Sequence, residues 1–131
     1  AGAMGAGMIA FFGSRLQMGI QTVLDTVKFD EMISDADYII TGEGKLDSQS
    51  LRGKVVIGIA ERAKKQAKNV IAVVGGADDA EIDKAYEMGV TAVFPINRLP
   101  QDFSISRHHS KEHLAYTVDN VLRLIAAKLK I

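Results

Sequence analysis

Apolar positions along this chain switch between a helical and an extended period. Ile20, Val23, Leu24 and Val27 share one helical face, Lys28-Phe29-Asp30 breaks it, and residues 31–34 read as a further short turn of helix. "DADYIIT" then compresses its apolar residues into Tyr38-Ile39-Ile40, a β-rich run of the kind buried on both faces of a parallel sheet. Leu51, Val55, Ile59 and Ala63 return to helical spacing with Val56, Ala60 and Ala67 beside them, predicting one amphipathic helix. "NVIAVVGG" predicts a second buried strand, and Asp78 three residues before Glu81 predicts a capping-box-like start to a helix that Gly89 stops. "TAVFPI" is the third strand. A loop over residues 97–109 follows, and Leu114, Val118, Val121, Leu122, Ile125 and Leu129 mark a closing helix with Ser110 as its candidate cap.

The resulting order is β-α-β-α-β-α. Strands separated by helical crossovers form a parallel sheet with helices on both faces, so the expected class is α/β, a Rossmann-like three-layer α/β/α arrangement with right-handed connections. Residues 38–41, 70–74 and 92–95 should run parallel and release their glycine loops on one edge. Ligands of open parallel sheets bind beyond the carboxyl ends of the strands, which here read "TGEGKLD", "VGGADD" and "PINR".

Composition narrows what those ends can do. With 131 residues the chain fits one domain with a real core, and its 16 basic and 16 acidic residues cancel, leaving no global field to recruit nucleic acid or an anionic membrane. Cysteine is absent, which excludes disulfides and thiolate metal sites and makes the cytoplasm the default expectation. The opening "AGAMGAGMIAFFG" lacks a basic leader and a starting methionine, and it is too short to span a membrane. It reads as a close-packing helix that begins mid-pattern, as in a fragment, with residues 2–12 or an exposed sheet as the candidate surface for self-association.

The stretch "TGEGKLDSQSLRGK" carries the densest chemistry. Glycines at 42, 44 and 53 let backbone approach a ligand, and a helix start offers unpaired N–H groups to an anion. Arg52 and Lys54 fall near the first helical turn, where the macrodipole disfavours cations, and Lys45 lies just upstream, so an anion is expected to compensate. Glu43 and Asp47 could do this within the protein or hold Mg²⁺ beside a phosphate. The plain alternative is an N-cap at Asp47, Ser48 or Ser50 with solvated lysines. The stretch is not a P-loop, because Val55 follows Gly53-Lys54 and Ser48 stands where the first glycine belongs. It is not a dinucleotide fingerprint either, since Asp47 occupies the third glycine position and would face a pyrophosphate.

Other candidates weigh less. Gly75, Gly76, Asp78 and Asp79 form a second polar strand end, read first as capping and second as ligand contact. His108 and His109 are neighbours in a loop, an arrangement that favours a surface pair over a metal site, and His113 is ordinary. Phe11, Phe12, Phe94 and the methionines read as core or interface.

"ITGEGKLDSQSLRGK" resembles the signature of the bacterial glycerate kinase family, of glycerate 2-kinase type, G-E-G-[RK]-[LI]-D-x-Q-[ST]-x-x-G-K at the end of a buried strand. The flanking Gly/Ala-rich helix, "GIQTVLD", "FDEMISDAD", "VIAVVGG" and "AYEMGVTAVFPI" also fall where that family has them. The resemblance implies an ATP- and Mg²⁺-dependent kinase acting on D-glycerate at its 2-hydroxyl. It further implies that residues 1–131 are the C-terminal part of a Rossmann-like domain in a two-domain enzyme. The family's N-terminal lysine/serine motif, its Asp/Gly-rich motif and its inserted second domain have no counterpart here. Phosphoryl transfer needs cations, carboxylates and close backbone. The implied assignment is Lys45 and Lys54 on phosphate or substrate carboxylate, Glu43 and Asp47 as Mg²⁺ ligands or base, Gln49 and Ser50 orienting substrate, and Gly42, Gly44, Gly53, Gly75 and Gly76 along the ligand. The competing class is a non-catalytic Rossmann-like module that binds a phosphorylated metabolite or packs against a partner lobe.

Overall fold

A computed structural model describes residues 4–13, 19–52 and 54–127. Helices α1 (Met4–Phe12), α2 (Gly19–Thr26) and α3 (Phe29–Met32) precede strand β1 (Tyr38–Leu46), and a 3₁₀ turn (Ser50–Arg52) leads into α4 (Val55–Lys64). Strand β2 (Asn69–Ala77), α5 (Asp79–Glu87), β3 (Ala92–Pro95), α6 (Phe103–Ser106), a second 3₁₀ turn (Arg107–His109) and α7 (Ser110–Ala126) complete the chain. The strands lie in the order β1-β2-β3, all parallel, with Ile40 opposite Ile71 and Ile71 opposite Ala92. The expected class, strand direction and common edge are all found.

Strand β2 shows why helices must cover both faces. Val70, Ala72 and Val74 point to one side, where they pack with Leu24, Phe29, Leu46, Val56, Ile57, Ala60, Ala85 and Val90 from α2 to α5 and the segments around them. Ile71 and Val73 point to the other, where Ile96 and Val121 join them and Phe94, Val118 and Ile125 pack alongside. Arg62 ties the first layer together, donating to Asp30 at 2.9 and 2.7 Å and also to Asp25 and Gln21, so that α4 grips α2 and α3. Arg98 lies over the Tyr116 ring at 4.8 Å, holding the segment after β3 against α7.

Several local expectations are corrected. Tyr38 and Ile40 are 47% and 44% exposed rather than buried on both faces, because β1 is a sheet edge and the α7 side of it lies open among the described residues. The glycine segment is strand and not loop, since β1 stays paired with β2 through Leu46. A Cβ at Gly42 would meet the Val73 carbonyl and one at Gly75 the Gly44 carbonyl, so these two positions require glycine for the strands to pair this closely. Leu51 and Arg52 belong to the 3₁₀ turn, and α4 ends at Lys64 with Ala67 at φ 53°, outside the helix. The segment after β3 contains α6 and a 3₁₀ turn within the expected loop. Ser110 starts α7 but does not cap it, its hydroxyl donating to the Arg107 carbonyl at 3.0 Å. Gly2, Gly53 and Leu129 lie outside the described residues.

Candidate functional site

Residues 46–50 fold into a tight turn because Asp47 organises it. Its Oδ1 accepts the backbone N–H groups of Gln49 at 2.9 Å and Ser50 at 3.2 Å, and these bonds, the first most, hold its carboxyl below the usual carboxylate range. Ser50 is buried; its hydroxyl donates to the Lys45 carbonyl at 3.1 Å and accepts from the Asp47 N–H at 3.3 Å. The hydroxyl thus closes the turn from inside. Lys54 stands at the N-cap position of α4 and donates to Gln49 Oε1 at 3.1 Å.

Two clefts flank the glycine-rich end of β1. The first, about 690 Å³, lies on the α7 side; Gly42, Gly44, Lys45, Gly75 and Gly76 line it together with Ile40, Ile96, Asn97, Phe103, Leu114 and Val118. The second, about 1030 Å³, lies between α2 and the start of α4. It is lined by Ile20, Val23, Val55 and Ile59 as an apolar wall and by Ser48, Gln49, Arg52 and Lys54 as a polar one. Glu43 reaches both clefts. Its Oε1 is buried with no hydrogen-bond partner, and burial pushes its carboxyl up against the opposing pull of the Ser50 hydroxyl and the Lys54 charge.

The structure therefore gathers Gly42, Glu43, Gly44, Lys45, Gly75 and Gly76 at one cleft and Glu43, Gln49 and Lys54 at the other, while Asp47 and Ser50 sit in the turn between and line neither. Asp78, expected to cap α5, makes no side-chain cap bond and pairs with Lys45 at 3.3 Å instead. Asn97 was visible only as part of the third strand end; it donates to the Gly75 carbonyl at 2.6 Å and fixes the cleft rim. Phe103 and Leu114 had no site signal, since their place over β1 depends on how α6 and α7 return to the sheet. Among the described residues no three His, Asp or Glu side chains cluster as a protein-only metal cage, and no helix is long and apolar enough to cross a membrane. Two hard oxygen donors, Glu43 with an orphaned oxygen and Asp47, do suit Mg²⁺, which takes one or two carboxylates together with phosphate and water.

Comparison with known proteins agrees with this fold. Residues 1–126 match the model of the glycerate kinase family. A glycerate kinase from Haemophilus influenzae is 40% identical over 98% of this chain and 34% of its own length. A glycerate 2-kinase from Escherichia coli is 44% identical over 73% of this chain and 25% of its own length. A solved structure from Salmonella typhimurium LT2, assigned provisionally as glycerate kinase 2, superposes over 100% of this chain and 33% of that one, with a TM-score of 0.73 at 35% identity. The chain thus spans a quarter to a third of the length of these relatives.

Proposed function

Since the chain belongs to the glycerate kinase family, we propose that its protein transfers the γ-phosphoryl group of ATP to the 2-hydroxyl of D-glycerate, giving 2-phosphoglycerate and ADP in the cytoplasm. The observation that carries this reading is a set of groups at the carboxyl edge of the sheet: Lys45 and Lys54 in the clefts on either side, Glu43 lining both with one buried, unpartnered oxygen, and paired glycine strand ends.

Each group has a role in the transfer. The acceptor oxygen forms a bond to the γ-phosphorus while the bond to the ADP oxygen breaks, and charge spreads over the phosphoryl oxygens. Lys54 and Lys45 offset that charge or hold the glycerate carboxylate. Gln49 keeps Lys54 extended toward the second cleft. Glu43, whose burial raises its proton affinity, receives the proton of the acceptor hydroxyl. Asp47, kept ionised by its turn, is the carboxylate that would hold Mg²⁺, whose contribution when bound is charge neutralisation on the phosphates. Ser50 acts on substrate through the turn that it closes. Gly42, Gly44, Gly75 and Gly76 admit the ligand to within backbone distance, and Gly53 belongs to the same signature.

These 131 residues are one lobe in this reading, the C-terminal part of a Rossmann-like domain, and do not turn over alone, because a nucleotide and its acceptor must be enclosed together at near-attack distance. The test is phosphorus NMR of full-length protein with ATP, Mg²⁺ and D-glycerate. A glycerate-dependent 2-phosphoglycerate signal is expected. ATP binding without any glycerate-dependent product would replace the kinase with a non-catalytic binding module.

A further inference from the structure

We propose that Asp78 is a positioning residue that holds the Lys45 ammonium at the rim of the first cleft and competes with the incoming anion for it, thereby setting how tightly that anion is held and how fast it leaves. The proposal rests on the kinase reading, which places a phosphate or carboxylate at Lys45.

Asp78 stands at the start of α5 without capping it. The residue occupies the N-cap position with φ −90° and ψ 128°, the extended backbone from which an Asp normally accepts an N–H of the first turn. Its side chain makes no such bond; the N–H groups of Glu81 and Ile82 go to the backbone carbonyl of Asp78, at 2.8 and 3.2 Å. The carboxylate turns instead to Lys45, Oδ2 to Nζ 3.3 Å. Backbone contacts make that pairing natural. Lys45 sits opposite Gly76 in the ladder, and the Asp78 N–H donates to the Leu46 carbonyl at 3.2 Å, so Asp78, the single residue between β2 and α5, is anchored beside the end of β1.

The two signature cations are consequently held in different ways. Lys54 is held by a neutral amide, and the carboxylates it acts on, Glu43 and Asp47, lie outside ion-pair distance. Lys45 is ion-paired with a carboxylate, and it lines the first cleft whereas Asp78 does not. An anion entering that cleft must take Lys45 from Asp78. Exchange is easy, because both side chains are more than half exposed and exposed ion pairs are weak. The released carboxylate does not lose its surroundings either, since it stands at the N-terminus of α5, where an acidic side chain caps N–H groups and complements the dipole. Asp78 thus stabilises the empty site by pairing and the filled site by capping.

The experiment uses the full-length kinase and two probes, Mg²⁺-ADP and D-glycerate, with binding measured by calorimetry and steady-state kinetics alongside. Asp78→Asn retains the capping capacity and removes the charge. It should lower Kd and KM for whichever probe Lys45 engages by about two- to five-fold, the range set by an exposed pair, without raising kcat. The same change made on a Lys45→Ala background should do nothing. Unchanged or weakened binding in Asp78→Asn, with Lys45→Ala weakening one probe, would overturn the role of Asp78 and leave the site reading standing. Unchanged binding of both probes in Lys45→Ala would overturn both. If Asp78→Asn does not fold, Asp78→Ser, another good cap, carries the same comparison.

Discussion

The two faces of the sheet are completed to different degrees. On the α2–α5 side, Val70, Ala72 and Val74 sink into a core whose central members, Val56, Ile57, Ala60 and Ala63, are fully inaccessible. On the α7 side, Ile71 and Val73 meet one helix, while Ile40 of β1 stays 44% exposed beside the first cleft. One strand supplies both faces with similar residues, so the difference lies in what covers them. The closed face carries the larger buried core and the open face leaves β1 uncovered beside the first cleft, and Glu43 of β1 lines a cleft on each side.

Core truncation tests this contrast with the largest effect. Ile57→Ala on the closed face should cost about 2–5 kcal/mol, and Val121→Ala on the open face about 1–2 kcal/mol from its two lost methyl groups, read from urea unfolding of each variant. Equal losses would remove the distinction between the faces. Next comes the chemistry of the second cleft. Lys54→Ala in the full-length enzyme should lower kcat/KM at least ~100-fold while far-UV circular dichroism stays unchanged. Near-normal activity would detach that cleft from the reaction.

The same contrast between covered and uncovered faces explains where sequence reading succeeds. Val70 to Val74 announced a doubly buried strand correctly because each of its faces meets a helix. The same pattern in Tyr38-Ile39-Ile40 misled, because an apolar run records the side chains and not whether anything covers them; β1 is an edge in this chain. The glycine pattern predicts loops whose backbone can approach a ligand. Gly42 and Gly75 serve instead to let two paired strands come close, a constraint between residues 31 or more apart that local propensity does not register. Asp78 was legible as a cap from its spacing to Glu81, yet a cation across the strand end, Lys45, takes its carboxylate. Phe103 and Leu114 reach the first cleft only through the path of the chain after β3.

A smaller effect sharpens the account of the closed face. Arg62 holds the Asp30 carboxyl below its ordinary value, so the pair contributes stability above that ordinary value, and the contribution is lost as pH falls through the lowered one. Asp30→Asn should therefore unfold at lower urea than the parent at pH 7, by about 1 kcal/mol or less, and the gap should close in acid. A gap that widens on acidification would show that Asp30 is not ionised against Arg62. The smallest effect is a gain. Ala67 sits at φ 53° after α4, so Ala67→Gly should raise stability by about 0.5–1 kcal/mol in the same assay.

The central claim is that ligands meet this chain at the glycine-rich strand ends and the turn that follows β1. Amide hydrogen exchange on the full-length kinase, with and without saturating Mg²⁺-ADP and D-glycerate, tests it most directly. The account predicts that ligand-dependent protection within this part of the chain concentrates in residues 42–45, 49–54 and 75–76. Saturated enzyme in which those segments exchange as fast as in the free protein, with protection confined to α1 or to the outer surface of α7, would contradict it.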